Sequence, residues 1–534
     1  MKRIIYTPVV MLIALLALSS CFTDKSSLDT NKIDEITIEA PDMPEILRVD
    51  YLGEVNFEPI VKKRGQTNPE NVSYRWEITE IPGYSELSLL SNEKVLNTTI
   101  KNQILPVSYT LIFTARDEEH GIEYRKTWPL YVSSPFREGI LVGYTNDGST
   151  SDLGLIMDNN ITTSYTGGSN IILDIWKNST GSAKSALIKS LTYTLHKPTS
   201  ILTKNVAVAI FADKDISMFD CENYSLYKSS DLIFPSKTPS FDPQAFYTIS
   251  NAYWMLVAND KVHVFPNNQG TTSIYIPATG DNYIDNAIMI PAISGSYSPS
   301  AFWYNSNTGK IHQVTGAYAT PAATSVYSTQ GVFDPTSLSG RRIIAGDVAI
   351  DGFSATMLLK NESTGNYEIY SASFGYYDAN WNNIPSAPKL KVDLPAALTS
   401  IINSAVSVFF NMYDPIMYVA TSTKIYSVLF GGGVVSYSEK YSAPAGEQIT
   451  LAKLYVQGRY RLNLADFDVE WGPIYESPLA LNTKAVVVAT KKGEYEGQIY
   501  VIPTEAPGTG NLDGAQAKKY AGFGKILDFT MQGQ

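Results

Sequence analysis

Ser300-Ala301-Phe302-Trp303-Tyr304, a turn from Asn305 to Gly309, and Ile311-His312-Gln313-Val314 form an apolar strand, a polar turn and a second apolar strand. A run this short and this apolar between turn residues has the pattern of a strand buried on both faces. The same unit recurs along the chain: Ile140–Tyr144 with Leu153–Met157, then Val206–Phe211 before Asp213-Lys214-Asp215, then Tyr253–Val257 with Val262–Phe265. Beyond the quoted copy come Ala355–Leu359 with Tyr367–Tyr370, Ile416–Ala420 with Ile425–Val428, and Lys484–Ala489 with Gly497–Val501. Seven hairpins spaced by about 57 residues lie nearer the kelch period of about 50 than the WD40 period of about 40–45. The reading is an all-β chain whose residues 135–534 build a β-propeller, seven blades being the economical count. Six or eight blades, a large β-sandwich and two jelly rolls stay open as alternatives. Lys525-Ile-Leu-Asp-Phe-Thr-Met531 has the pattern of a strand that could pair with the Ile140 strand and close the ring.

Working outward towards the N-terminus, residues 35–134 break into short β-patterned runs: Ile36–Ile38, Glu54–Phe57, Ser73–Ile78, Ser108–Ala115 and Thr127–Val132. About 100 residues with strands at that spacing suit a β-sandwich. Alternation at Tyr74, Trp76 and Ile78 makes Trp76 a core residue. Ahead of it, residues 21–34 are polar and aperiodic, a flexible tether. Residues 1–20 begin with Lys2 and Arg3 and continue into an apolar run ending Leu18-Ser19-Ser20-Cys21. A run of that length fits a signal peptide, since a membrane-spanning helix needs about 20 apolar residues.

Composition agrees with this organisation. The chain has 534 residues, 35 of them Tyr, with 44% hydrophobic and 17% charged residues and a formal charge of -11. An acidic chain without a basic run lacks the dense positive patch that nucleic acid requires. With only two cysteines, Cys21 and Cys221, an exported form has no disulfide framework to lean on if Cys21 is modified.

Leu18-Ser19-Ser20-Cys21 resembles the lipobox of bacterial lipoproteins, which implies that Cys21 is the lipid attachment site. Asp24 just behind it is similar to the acidic signal that sends lipoproteins of Bacteroidetes-type bacteria to the outer face of the outer membrane. Tyr74-x-Trp76, the strand Tyr109-Thr-Leu111-Ile-Phe113-Thr-Ala115-Arg-Asp117 and the closing Tyr131-Val132-Ser133-Ser134 resemble a PKD-like, immunoglobulin-type domain. Together with Pro135-Phe136-Arg137-Glu138-Gly139-Ile140-Leu141-Val142 they look like the PKD-like family lipoproteins of Bacteroidetes. One position departs from that family's pattern, Ile140 standing where a Trp is frequent. The resemblance implies an outer-membrane lipoprotein, exposed at the cell surface and associated with a SusC/SusD-type nutrient uptake system.

Catalytic chemistry finds little support in the residues. His120, His196, His263 and His312 are scattered, without His-Glu-x-x-His, and there is no Gly-x-Ser-x-Gly or phosphate-binding loop. No metal, no cofactor and no catalytic residue is assigned. Two acidic motifs have bland readings: Asp466, Asp468 and Glu470 as a solvated edge or loop, and Asn146-Asp147-Gly148 to Asp152 as a hairpin turn rather than a calcium loop. Aromatic clusters give the ligand-binding candidates, since flat rings on propeller loops can stack on sugars or grip peptide side chains. They are Trp303, Tyr304, Tyr376, Tyr377, Trp381 and Trp471. The expected function is a non-catalytic, lipid-anchored binder of oligopeptide or oligosaccharide. The alternative is a glycoside hydrolase or peptidase built on the propeller, for which two carboxyls about 5–9.5 Å apart would be the signature.

Overall fold

The computed structural model describes residues 35–533 except 68, 106, 164, 166, 197–203, 234–239, 250–252, 265–275, 292–300, 316–322, 350–353, 375, 378–381 and 459–478. It divides into two units, residues 1–133 and 134–534. Cys21 and Asp24 lie outside the described residues. Among the described residues no helix is long and apolar enough to cross a membrane.

The first unit is a β-sandwich. Its larger sheet has five strands in the order Leu47–Asp50, Ile122–Ser133, Tyr109–Asp117, Val72–Thr79 and Leu87–Ser91. Facing elements are the sheet of Ile36–Glu39, Ile60–Lys63 and Gln66–Thr67 and the pair Glu54–Phe57 with Leu96–Thr99. Alternation places Trp76 and Ile78 inward, and Trp76 is fully buried against Phe113 at 4.7 Å, Trp128 at 5.9 Å and Phe57 at 6.1 Å between ring centroids. Its indole N–H donates to the Lys94 carbonyl at 3.1 Å, so the one polar atom of the ring is satisfied inside the core.

The second unit contains seven four-stranded antiparallel sheets among the described residues. In blades 2 to 7 the chain enters at the inner strand and works outward. These inner strands are Ile188–His196, Pro243–Ile249, Met289–Pro291, Arg341–Val348, Ala405–Phe410 and Gln448–Leu454. Blade 1 is assembled differently: Gly139–Thr145, Asp152–Met157 and Asn170–Ile172 supply its outer three strands, and the C-terminal strand Lys525–Gln532 supplies the inner one. Gly139 to Thr145 pair with Gln532 to Lys525, the closure expected from the sequence. Each inner strand lies beside that of the next blade from blade 1 to blade 7, and a core shared by Ile140, Tyr144, Ala485, Val487 and Phe529 joins blade 7 back to blade 1.

All seven sequence hairpins are the two middle strands of a blade. Neighbouring blades cover both faces of these strands, so Gly139–Thr145, Asp152–Met157, Ile216–Asp220 and Ala301–Asn305 are buried at every position. That is why they read as continuous apolar runs instead of alternating ones. Turn chemistry sets their registers. Asn259 and Asp260, both with positive φ, form the two-residue loop between paired Ala258 and Lys261. At Gly309 (φ 65°) a Cβ would lie 2.3 Å from Ser339 Oγ, so this tight turn needs glycine.

Candidate functional site: the inner ring of the propeller

An inner strand pairs with a neighbour on one side only, leaving backbone N–H and C=O groups on its other edge that need partners. At six of its seven seams a polar side chain engages backbone of the neighbouring blade, and at the seam between blades 2 and 3 two side chains bond to each other. Between blades 1 and 2, Asp528 Oδ2 accepts the Leu191 N–H at 2.8 Å. Between blades 2 and 3 the Thr248 hydroxyl donates to Thr194 Oγ1 at 2.7 Å. At the next seam the Tyr247 hydroxyl accepts the Met289 N–H at 3.2 Å and donates to the Ala287 carbonyl at 2.7 Å. Asp285 Oδ2 accepts the Ile343 N–H at 3.1 Å, joining blades 4 and 5. Asp347 Oδ2 accepts the Phe410 N–H at 2.9 Å, and Ser407 Oγ accepts the Ala452 N–H at 2.9 Å. Lys453 completes the circle, its Nζ donating to Asp528 Oδ1 at 2.5 Å and to the Phe529 carbonyl at 2.8 Å.

Local backbone irregularity aims several of these groups. The ladders of the inner strands of blades 1, 2, 3, 5, 6 and 7 all shift register by one residue, leaving one extra residue on the inner strand. A bulge of this kind turns the strand and redirects the side chain that follows it. Asp528 and Ser407 occupy that following position in blades 1 and 6, and each reaches the N–H two residues beyond the bulge of the next blade.

Asp347 differs electrostatically from the other ring carboxylates. It is partly open to solvent, yet protein surrounds it closely enough that burial pushes its carboxyl up to about 7, against one backbone hydrogen bond pulling the other way. Asp528, by contrast, shares its seam with the Lys453 ammonium. No cation pairs with Asp347 among the described residues, and no second carboxylate bears on it. Burial thus raises two ring carboxyls at adjacent seams, Asp285 and, to a value near neutral pH, Asp347.

The sequence-selected aromatics fare unequally. Trp303 and Tyr304 are fully buried inside blade 4 and offer no ring face to a ligand. The Trp303 indole donates to the Tyr283 carbonyl at 2.9 Å, and the Tyr304 hydroxyl to the Leu338 carbonyl at 2.7 Å. They correct the expectation of exposed stacking residues, because in a strand covered on both faces large rings are core whichever way they point. Tyr376 and Tyr377 form a short strand pairing with Asn383–Ile384, but their side chains, like Trp381, Trp471 and the acidic run at 466–470, lie outside what is described.

Other chemistry-bearing groups resolve into local structural roles. Asp147 caps its own turn, accepting the N–H groups of Ser149 and Thr150 at 2.8 and 2.7 Å, while Asp152 accepts the Trp176 N–H at 2.8 Å. In the sandwich, Asp117, Glu119 and His120 lie close enough to suggest a metal cluster. Lys63 Nζ sits 3.0 Å from Asp117 and 3.4 Å from Glu119, so an ammonium already stands where a cation would. The His120 hydrogen bond at 2.9 Å and then Lys63 hold the Asp117 carboxyl down at about 2. Sequence reasoning missed Asp347 and Asp528. The available signal was a lone acid in an apolar strand, as in Ile343-Ile-Ala-Gly-Asp347-Val348 and Ile526-Leu-Asp528-Phe529.

With this geometry in hand, comparison with known proteins gives three findings. The model of the PKD-like family matches residues 21–186, which takes in the sandwich and the three outer strands of blade 1. No curated protein matches the sequence. Among solved structures, a quinoprotein alcohol dehydrogenase-like protein of Bacteroides thetaiotaomicron is 11% identical, with 92% of this chain and 99% of that one covered at a TM-score of 0.43. The WD40 domain of SCAP from fission yeast is 9% identical over 64% of this chain and 74% of its own, at 0.34. The chain is all-β, a PKD-like sandwich followed by a seven-bladed propeller.

Proposed function

We propose that this protein is a non-catalytic lipoprotein, anchored by Cys21 at the outer face of the outer membrane, that binds an oligopeptide or oligosaccharide for a SusC/SusD-type uptake system. The observation that carries the reading is the extent of the PKD-like match. It starts at residue 21 and runs through the tether, the sandwich and the three outer strands of blade 1, which supports reading Cys21 as the head of the mature chain. The inner ring supports binding over catalysis in a second way: its polar groups are engaged in holding blades together, and a rigid ring is a platform on which loops can present a ligand site.

The test is an affinity pull-down of the C-terminally tagged protein from detergent-solubilised outer membranes, with mass spectrometry of co-purifying proteins and small ligands. Recovery of a SusC/SusD-type pair supports the reading, and the retained peptide or glycan names the ligand class. Elution alone overturns the transporter association. Asp347 favours a second reading, a propeller-borne hydrolase, since a carboxyl near 7 is poised for proton transfer. Under that reading Asp347→Asn abolishes turnover of a peptide or glycan substrate; under the first it leaves ligand retention intact.

A further inference from the structure

The sandwich leaves one apolar sheet edge open. Leu87–Ser91 ends the five-stranded sheet and pairs only with Val72–Thr79. The Glu80 N–H bonds the Glu86 carbonyl at 2.9 Å, which sets the alternation of the ladder. Ser88 therefore turns its backbone towards Ile78, its register partner, while the N–H and C=O of Leu87 and Leu89 point away from the sheet. They meet no partner strand among the described residues.

Proteins usually blunt such an edge with lysine, proline or a bulge. Here the bulge comes late, at Leu90, and leaves Leu87 to Leu89 regular. Leu87 and Leu89 share the outer face, with Leu89 55% exposed, and the adjoining turn adds Ile81 at 50% and Tyr84 at 67%. The rim of this patch is acidic: Glu80, Glu86 and Glu93 are exposed, and nearby Lys94 is engaged with Glu58 at 2.9 Å.

Residues 35–133 as a whole carry 16 acidic and 10 basic side chains. A second copy of the chain would bring the same acidic rim and the same net negative charge against the patch, which disfavours self-pairing. An extended segment with aliphatic side chains at alternate positions and lysine or arginine at its ends satisfies the backbone, the apolar face and the rim together.

We propose that Leu87–Ser91 is a docking edge that takes such a basic-flanked strand from a partner protein by strand addition. The test uses the purified full chain and two synthetic peptides, each of alternating valine and threonine, one flanked by paired lysines and the other by paired glutamates. Binding is read by titration calorimetry and by hydrogen–deuterium exchange. The lysine peptide binds, its affinity falls as salt rises, and exchange at the Leu87 and Leu89 amides slows by about tenfold or more at saturation, as expected for newly hydrogen-bonded edge amides. Leu89→Lys, with an unchanged melting transition showing that it folds, loses this binding, whereas Val434→Lys on the propeller keeps it. Three results overturn the proposal: no binding of the lysine peptide, equal binding of both peptides, or binding without slowed exchange at Leu87 and Leu89. Concentration-dependent dimerisation that protects the same amides without peptide also overturns it, in favour of a second copy.

Discussion

The two units solve the same problem, the unpaired edge of a β-sheet, in opposite ways. The propeller brings its last strand back to its first blade, so that Lys525–Gln532 pairs with Gly139–Thr145 and seven polar seams tie the inner edges into a circle. The sandwich closes around one aromatic cluster centred on Trp76 and keeps Leu87–Ser91 as a free edge. One unit takes its integrity from circular closure and the other from a compact core. Mutations should therefore act on one unit and spare the other.

The largest contrast comes from opening the ring. Deletion of residues 525–534 removes the inner strand of blade 1 together with Asp528 and Phe529. Loss of the cooperative propeller transition is expected, a stability on the order of 5–15 kcal/mol, while the sandwich transition survives in calorimetry. If the truncated propeller melts as before, closure is not what holds it.

Trp76→Ala reverses the contrast. It empties the centre of the sandwich core and should cost about 3–5 kcal/mol there, leaving the propeller transition in place. Denaturant unfolding followed by tryptophan fluorescence would show whether one unit responds or both.

Seams can be ranked against one another. Asp528→Ala takes the carboxylate from the Lys453 ammonium, which keeps only the Phe529 carbonyl, and leaves the Leu191 N–H without its acceptor; it should cost about 2 kcal/mol, whereas Ser407→Ala removes a neutral partner and should cost about 1 kcal/mol. Equal effects measured by chemical denaturation would contradict the charged seam's larger share.

The two units also differ in the direction of their pH response. Asp117 in the sandwich titrates at about 2, below its ordinary 3.8, so the stabilisation it gives is present above about pH 4 and is lost as pH falls through 2. Asp347 in the propeller titrates at about 7, above its ordinary 3.8. Its folded form holds a proton that the unfolded chain releases, so its contribution is full below about pH 4 and is lost as pH rises through 7. Melting curves between pH 7 and 4 should then show an Asp347-dependent gain in propeller stability on mild acidification, with Asp347→Asn reducing that gain. Below pH 4 the sandwich should weaken, and Asp117→Asn should flatten the response.

How much of this was legible in the sequence follows from the same contrast. The middle strands of each blade have both faces covered, so Ala301–Asn305 and Ile416–Thr421 announce themselves as apolar runs. The inner strands do not: Arg341–Val348 and Gln448–Leu454 mix charge with aliphatic residues and carry a bulge, and no periodicity of two survives across the extra residue. The short strands Leu47–Asp50 and Leu87–Ser91 escaped notice because a four- or five-residue strand at a sheet edge has too few positions to show a pattern. Site residues were harder still. Trp303 and Tyr304 looked like binding aromatics because composition cannot distinguish a ring on a loop from a ring between blades. The ring acids Asp347 and Asp528 were passed over because a carboxylate serving a neighbour's N–H leaves no spacing to recognise.

Amide hydrogen exchange on the intact chain tests the contrast most directly. The account predicts that the amides of Lys525–Gln532 exchange with the slowest group in the molecule, together with Gly139–Thr145, while the outward amides of Leu87 and Leu89 exchange with the fastest of the strand residues. Rapid exchange throughout Lys525–Gln532, with Leu87 and Leu89 already protected in the free protein, would contradict both the closed ring and the open edge.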